Sequence, residues 1–430
     1  MNLNIRTSMD TFFYKNGNLH CEGVRISDIS EFINTPFYLY SQSSMEKQYK
    51  SLEKALRSLN HRIFFSAKAN SNLSVLKIFK SLGSGLDIVS GGEYERARAA
   101  GFEGKEIVFS GVGKNEFEIR KAISGGIRQL NIESEPELDL VNKIAEEERI
   151  LVEVSIRVNP DVDAKTHKKI TTGLEGDKFG VTFEQAKNMF KKQKSLKWVS
   201  FVGLDMHIGS QISDINVFRK SFKRLRDYVL DLRQAGFYIS RLDVGGGIGI
   251  EYELNGSSLI SIQEYAELLK EYFDDLDCEI ELEPGRFLIG NAGILVTSVL
   301  YKKFGSNHNF LIIDAAMNDL IRPALYDARH ELITLKEPTV TDKTAFNVVG
   351  PVCESGDTFD YSLELPKVNN GDLVAFSSAG AYGAVMASEY NSRPLVPEVL
   401  VCGKSYAQIR NRPNISEILS RDIMAGWLKT

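Results

Sequence analysis

Lys68, His207, the glycines 245 to 247, Glu283 and Arg286 are residue types that do chemistry, and each stands in a setting that separates it from ordinary solvated side chains. Lys68 lies in FFSAKAN, behind apolar and aromatic residues. An amine there is expected to be shielded from water, which lowers its pKa and favours attack on a carbonyl to form an imine. His207 occurs in DMHIGSQI, the triple glycine in LDVGGGIG, and Glu283 with Arg286 in LEPGR. Taken singly, these have plain explanations: a satisfied core imidazole, an ordinary turn, a strand-ending turn with a surface arginine. The functional reading of the glycine run is a loop whose backbone N–H groups approach a phosphate closely. An amine, an imidazole, a glycine loop, a carboxylate and a guanidinium in one site would make a carbonyl-chemistry centre with its own anion cradle.

The elements around these residues decide whether they meet. From about residue 60, short β-branched or aromatic runs alternate with amphipathic, charged stretches, the cadence of β/α units. The strand candidates cover 62–69, 86–90, 107–111, 128–134, 152–159, 201–209, 241–247 and 279–285. Several intervening helices close with Gly, where a helix C-terminus favours it. Eight such units predict an α/β fold with a (β/α)8 barrel of the TIM type, an open doubly wound sheet being the structural rival. Barrel enzymes build their sites at the C-terminal ends of the strands. Lys68 ends the first strand, Ser90 with Gly91 and Gly92 the second, His207 with Ser210 the sixth, the triple glycine the seventh, and Glu283 with Arg286 the eighth. They share one mouth. After residue 286 the texture changes to strand-like runs separated by turns, such as ILVTSVLYKK, NFLIIDA, FNVVGPVC, DLVAFSS and LVCGKS. The N-terminal TFFYKNGNLHCEGV, with its Asn-Gly hairpin signal, resembles this second texture. The expected division is a barrel over 36–283 and a mostly β domain formed from 1–35 and 284–430.

The totals bound the reading. A chain of 430 residues exceeds what one compact core usually supports. With 52 basic against 57 acidic residues the net charge is −5, which supplies no long-range attraction to nucleic acid or to an anionic membrane. Any anion site must be local. Cys21, Cys278, Cys353 and Cys402 are widely spaced, against a zinc knot or a disulfide scaffold, so no metal is expected and a reduced setting is. The first residues lack the basic-then-apolar order of a signal peptide, and no apolar run has the roughly 18 to 20 residues needed to span a bilayer. A soluble, cytoplasmic protein acting on a small molecule is expected.

AKAN at Lys68, HIGSQI at 207–212, DVGGGIG at 243–249, EPGR at 283–286, RPALYDA at 322–328, CESGD at 353–357 and AGAYG at 379–383 resemble, in order and spacing, the pyridoxal-5′-phosphate-dependent decarboxylases of the alanine-racemase-like fold (fold type III), the diaminopimelate decarboxylase family in particular. TTGLEGDKFG at 171–180 is similar to a further segment of that family. The resemblance implies pyridoxal phosphate as cofactor, joined covalently to Lys68 until the substrate amine displaces it. It implies His207 stacked on the cofactor ring and Glu283 accepting a hydrogen bond from the ring nitrogen as a carboxylate. Ser210, Gly246, Gly247, the backbone from Glu283 through Gly285 to Arg286, and Tyr382 would surround the phosphate.

For the substrate, the resemblance implies Arg286 and Arg322 as the cations that grip a carboxylate, a task suited to planar forks. Tyr326 and Tyr382 would support that grip, and Glu354 would pair with the distal ammonium. Cys353 would return a proton to the α-carbon after carbon dioxide leaves, its plain alternative being a small buried residue. In the family the Cys-Glu segment reaches into the other subunit, which implies a homodimer with shared active sites. The implied reaction is decarboxylation of meso-diaminopimelate to L-lysine. Related decarboxylases acting on ornithine, arginine, lysine or carboxynorspermidine are the nearest rivals, an isomerase and a catalytically silent homologue the more distant ones. Arg322 argues against substrates with only a distal cation. The retention of Lys68, His207, Glu283 and Cys353 together argues against a silent protein. A mobile loop within 160–200 is one reading of that Lys-, Asp- and Gly-rich stretch, and a static insertion is the other.

Overall fold

In the computed structural model the described residues are 11–163, 178–252, 259–339 and 342–428. Residues 164–177, which take in 171–177 of the TTGLEGDKFG segment and part of the 160–200 stretch considered as a loop, lie outside them. The chain forms two compact units, one of residues 45–251 and 256–289, the other of 1–44, 252–255 and 290–430.

The first unit is a closed, all-parallel barrel. Its strands are β1 (His61–Ser66), β2 (Gly85–Ile88), β3 (Ile107–Phe109), β4 (Gln129–Ile132), β5 (Val152–Arg157), β6 (Val199–Asp205), β7 (Arg241–Asp243) and β8 (Glu279–Leu282). Closure is by β8 on β1, with Ile280 opposite His61 and Leu282 opposite Ile63. That pairing rules out the open sheet. Helices follow the strands, and their starts are chemically uniform: Asn72, Ser90, Asn115, Ser134, Thr182, Asp214 and Ser261 each accept a backbone N–H of the helix they precede. Such caps satisfy donors that the helix itself cannot. The 20-residue helix Ile215–Gln234 stops at Gly236, whose φ of +89° a side chain would resist.

The barrel interior is not the apolar stack typical of such folds. Asp87, Gln129, Asn131, Ser155, Asp205, Asp243 and Glu281 point into it and are 0–1 % exposed. At the lower level Arg128 pairs with Glu281 at 2.8 Å, and Gln129 donates to the same carboxylate at 3.1 Å. These partners offset the cost of enclosing charge.

The second unit is mostly β. Its long strand Gly293–Phe304 pairs with Phe37–Ser41, Asn309–Ile313 and Leu373–Phe376. The sheet continues through Lys343–Val349 and Thr358–Pro366 on one side and Glu398–Cys402 and Ser405–Arg410 on the other. The expected N-terminal hairpin is present: Phe12–Lys15 pairs with Asn18–Cys21 across Asn16 and Gly17, both at positive φ. Its Phe12, Leu19 and Cys21 share a core with Phe37, Leu39, Ile294, Val296 and Val399, which ties the first strands to this unit. Among the described residues no helix is long and apolar enough to cross a membrane.

Candidate active site

The barrel unit brings its expected residues to one mouth. Lys68 lies in the short turn Ala67–Ala69 that follows β1. Its Nζ sits 3.2 Å from Oδ2 of Asp87, a fully buried β2 carboxylate that also accepts a 2.6 Å hydrogen bond from Ser66. The apolar shielding read from FFSA is therefore only part of the setting. A third of the Lys68 side chain is exposed, and a carboxylate lies beside its amine.

His207 follows β6, and its Nδ1 accepts the backbone N–H of Gly246 at 3.2 Å. Desolvation, then the nearby cations Lys68 and Arg157, hold its pKa well below the usual imidazole value. The ring is thus neutral, with its proton on Nε2. The glycine run explains itself sterically: a Cβ on Gly245 would lie 2.6 Å from the Met206 carbonyl and one on Gly246 would lie 2.4 Å from the Glu283 carbonyl. The loop threads between the ends of β6 and β8 with no room for side chains. Gly245 N–H donates to Asp243 at 2.9 Å, so at least two of its amides serve the protein's own residues. Ser210 Oγ accepts from both Nε and Nη2 of Arg286, at 3.2 and 3.0 Å, and Arg286 itself is buried at the start of the short helix Arg286–Ile289. Gly285 immediately precedes it.

Glu283, one residue beyond β8, is buried and accepts a 3.2 Å hydrogen bond from Ser110. Oxygens of Glu283, Asp205 and Asp243 all lie within 4.8 Å of one another. Burial first, then Asp243, Asp87 and Asp205, push the Glu283 carboxyl well above the ordinary range, against the opposing pull of Lys68. The same crowding raises Asp243, and burial takes Asp205 up to about 7 although Arg157 opposes it. Among the described residues, Asp87 Oδ1, Asp205 Oδ1 and Asp243 Oδ2 have no hydrogen-bond partner. The mouth holds carboxylate oxygens in excess of donors.

The remaining expected residues belong to the β unit. Arg322, buried, opens the short helix Arg322–Tyr326, which ends on Tyr326. Its Nη1 contacts His330 Nε2 at 2.9 Å, and its guanidinium lies 4.6 Å from the centre of the Tyr252 ring. Cys353 and Glu354 are exposed; the Glu354 carboxylate accepts a hydrogen bond from the Tyr390 hydroxyl. Asp357 of the same motif is structural: its carboxylate takes the N–H groups of Met317 and Val352, each at 2.7 Å, and so closes the turn that projects Cys353. Tyr382 adopts a left-handed φ of +55°, a conformation that non-glycine residues hold only when their surroundings enforce it.

Residues 42–290 match the model of the pyridoxal-dependent decarboxylase, pyridoxal binding domain. The chain is 42 % identical over 413 residues to diaminopimelate decarboxylase of Pseudomonas fluorescens, covering 96 % of this chain and 98 % of that protein. With the Vibrio cholerae enzyme of the same name identity is 43 %, covering 95 % and 98 %. The chain belongs to the diaminopimelate decarboxylase family. Its structure superposes on the family member from Helicobacter pylori complexed with L-lysine, with a TM-score of 0.88 at 39 % identity, covering 92 % of this chain and 99 % of that one. Diaminopimelate decarboxylase from m. jannaschii in co-complex with L-lysine gives 0.92 at 33 % identity, covering 98 % and 99 %.

As a member of this pyridoxal-dependent family the chain uses pyridoxal phosphate, and its mouth suits that group. A protonated ring nitrogen would bring a donor and a positive charge to a cluster in which Asp87 Oδ1, Asp205 Oδ1 and Asp243 Oδ2 have no hydrogen-bond partner. Sequence reasoning missed Asp87, Ser110, Arg157, Asp205 and Asp243. Polar residues recurring at inward positions of otherwise apolar strands were the available signal. It also missed Tyr252 and His330, whose link to Arg322 has no local sequence signature.

Proposed function

We infer that the chain decarboxylates diaminopimelate, in the meso form, to L-lysine and carbon dioxide, the closing reaction of lysine synthesis. The observation that supports this is the pairing of Lys68 with buried Asp87 at the barrel mouth, beside buried Glu283, for which no ion pair occurs among the described residues. Pyridoxal phosphate supplies the electron sink that accepts the pair of electrons left when carbon dioxide departs. Lys68 would hold the cofactor through its amine. Neutral His207 would offer a flat, uncharged face that adds no competing positive charge. Glu283 in its carboxylate form would accept a hydrogen bond from the protonated ring nitrogen. Ser210 fixes the fork of Arg286, and with Gly246, Gly247, Gly285 and Tyr382 these residues bind phosphate locally, so a protein of net charge −5 needs no basic surface.

At the other end of the substrate, Arg322 and Arg286 read the retained carboxylate with Tyr326 and Tyr382, Glu354 takes the distal ammonium, and Cys353 delivers the proton to the α-carbon. The exposure of Cys353 and Glu354 on a projecting turn supports their acting in a second copy of the chain, in a homodimer working in the cytoplasm. Carbon dioxide release from meso-diaminopimelate, compared with L-lysine, D-lysine, L-ornithine and L-arginine, tests the assignment. Diaminopimelate should exceed the others by at least about 10²-fold in kcat/KM, since a site built to bind a charged group rejects substrates lacking it. A comparable rate with ornithine or arginine would sink the substrate assignment. Loss of the imine absorbance band in Lys68→Ala checks the cofactor anchor, and an intact band would reject it.

A further inference from the structure

Arg322 contacts an imidazole and an aromatic ring. His330, 5 % exposed, places Nδ1 2.8 Å from the Ser377 carbonyl and Nε2 2.9 Å from Arg322 Nη1. A carbonyl only accepts and a guanidinium only donates, so both ring nitrogens have defined roles: Nδ1 carries the proton, and Nε2 accepts from Arg322. The imidazole is neutral and of one tautomer. The Tyr252 ring packs edge-on against His330, at 5.1 Å and 83°, and receives the guanidinium on its face, a cation–π arrangement.

The frame behind His330 is rigid. Ser377 N–H donates to Glu331 O at 2.8 Å, and the strand Leu332–Thr334 pairs with Leu373–Phe376, Leu332 opposite Phe376. His330 is thus fixed between two backbone points of one ladder. Imidazole and phenol ring engage one edge and one face of the guanidinium and so fix the direction of its fork. An uncharged acceptor competes less with a substrate carboxylate for those donors than an anion in the same position would.

We propose that His330 is a positioning residue that, with Tyr252, orients Arg322 to recognise the carboxylate retained in the product, and so sets selectivity for an amino acid with a carboxylate at its distal end. This rests on the reading of Arg322 given above. L-lysine keeps that carboxylate, so its binding and the KM for diaminopimelate should respond together.

The test uses the full-length enzyme loaded with pyridoxal phosphate and the variants His330→Phe, His330→Gln and Arg322→Lys. Phenylalanine keeps a flat ring but offers no acceptor; glutamine restores an acceptor oxygen. His330→Phe should raise KM for meso-diaminopimelate and the Kd for L-lysine by about tenfold each, the scale of one hydrogen bond to a charged group. Its kcat and cofactor absorbance should stay within about twofold, and His330→Gln should recover most of the loss. In an Arg322→Lys background, His330→Phe should add less than about twofold, because the two act as a unit. If Arg322→Lys weakens both ligands but His330→Phe leaves them unchanged, the positioning role is overturned while Arg322 keeps its own. If Arg322→Lys changes neither, the reading of Arg322 is wrong and the proposal falls with it. A parallel collapse of kcat, cofactor absorbance and thermal midpoint in both His330 variants would mark a merely structural residue and also overturn it.

Discussion

Replacing Glu283 by Gln is expected to change catalysis and cofactor-free stability in opposite directions, and the structure supplies both signs. Glu283 is enclosed with Asp87, Asp205 and Asp243, and burial and those neighbours raise its pKa. Without the cofactor, folding therefore favours its protonated form, whereas the unfolded chain releases that proton near the ordinary glutamate value of about 4.3. A raised folded-state pKa gives stability that is fully present below the unfolded value and is lost as pH rises toward the folded one. The loss attributable to one proton is at most about 1.4 kcal/mol per pH unit. Glu283→Gln, which never ionises, should remove up to that slope above about pH 4.3. Its Oε1 can still accept from Ser110. Urea unfolding of the cofactor-free protein at pH 5, 6 and 7 measures it, the variant gaining on the parent at each step. In the loaded enzyme, on the role proposed for Glu283, the same change would remove the anionic acceptor of the ring N–H. Breaking a buried charged pair costs about 3–5 kcal/mol, so kcat should fall by about 10² to 10³-fold or more. A variant with kcat within about threefold of the parent would show that Glu283 is not the acceptor for the ring N–H, and an unchanged pH slope would show that it does not titrate as its surroundings demand.

Two further substitutions probe other parts of the chemistry. Cys353→Ala should leave the cofactor spectrum intact and lower kcat by about 10²-fold or more, the range for a lost general acid; steady-state turnover at the parental rate would remove Cys353 from proton delivery. Gly245→Ala places a Cβ 2.6 Å from the Met206 carbonyl and 2.7 Å from His207 Nδ1, at a φ of +67°. The conformation alone costs about 1–2 kcal/mol. A thermal midpoint lowered by several degrees, together with a shifted cofactor absorbance, is expected by scanning calorimetry and spectroscopy. An unchanged midpoint would contradict the packing described for the glycine loop.

The barrel was legible because parallel strands covered on both sides read as compact apolar runs, and all eight expected runs overlap a barrel strand, those at 62–69, 86–90 and 201–209 starting one or two residues late. Site residues at strand ends were legible for a related reason. Lys68, His207, the glycine run and Glu283 stand where an apolar run stops, and the fold places strand ends together. The strand Phe37–Ser41 was not read in advance: FYLYS is short, and its pairing with Gly293–Phe304 joins segments about 250 residues apart. Distance along the chain also hid the contacts of Arg322, since Tyr252 lies 70 positions before it and His330 eight after, in a stretch without helical periodicity.

What the sequence conveyed least was charge in the interior. FFSA before Lys68 suggested an amine activated by apolar surroundings alone, yet the atom that faces it is Asp87 Oδ2. Asp87, Asp205 and Asp243 occur singly in LDIVS, GLDMH and LDVGG, where each reads as an isolated acid near a turn. Only closure of the barrel turns three unrelated acids into one electrostatic environment, because β2, β6 and β7 then point them at a common axis. Their joint effect is to make Glu283 costly to ionise until a cation arrives. On the role proposed for Glu283, recognition of a protonated ring would depend on residues that need not touch it. The acidity of Glu283 is a property of the closed sheet, which no local motif around EPGR encodes.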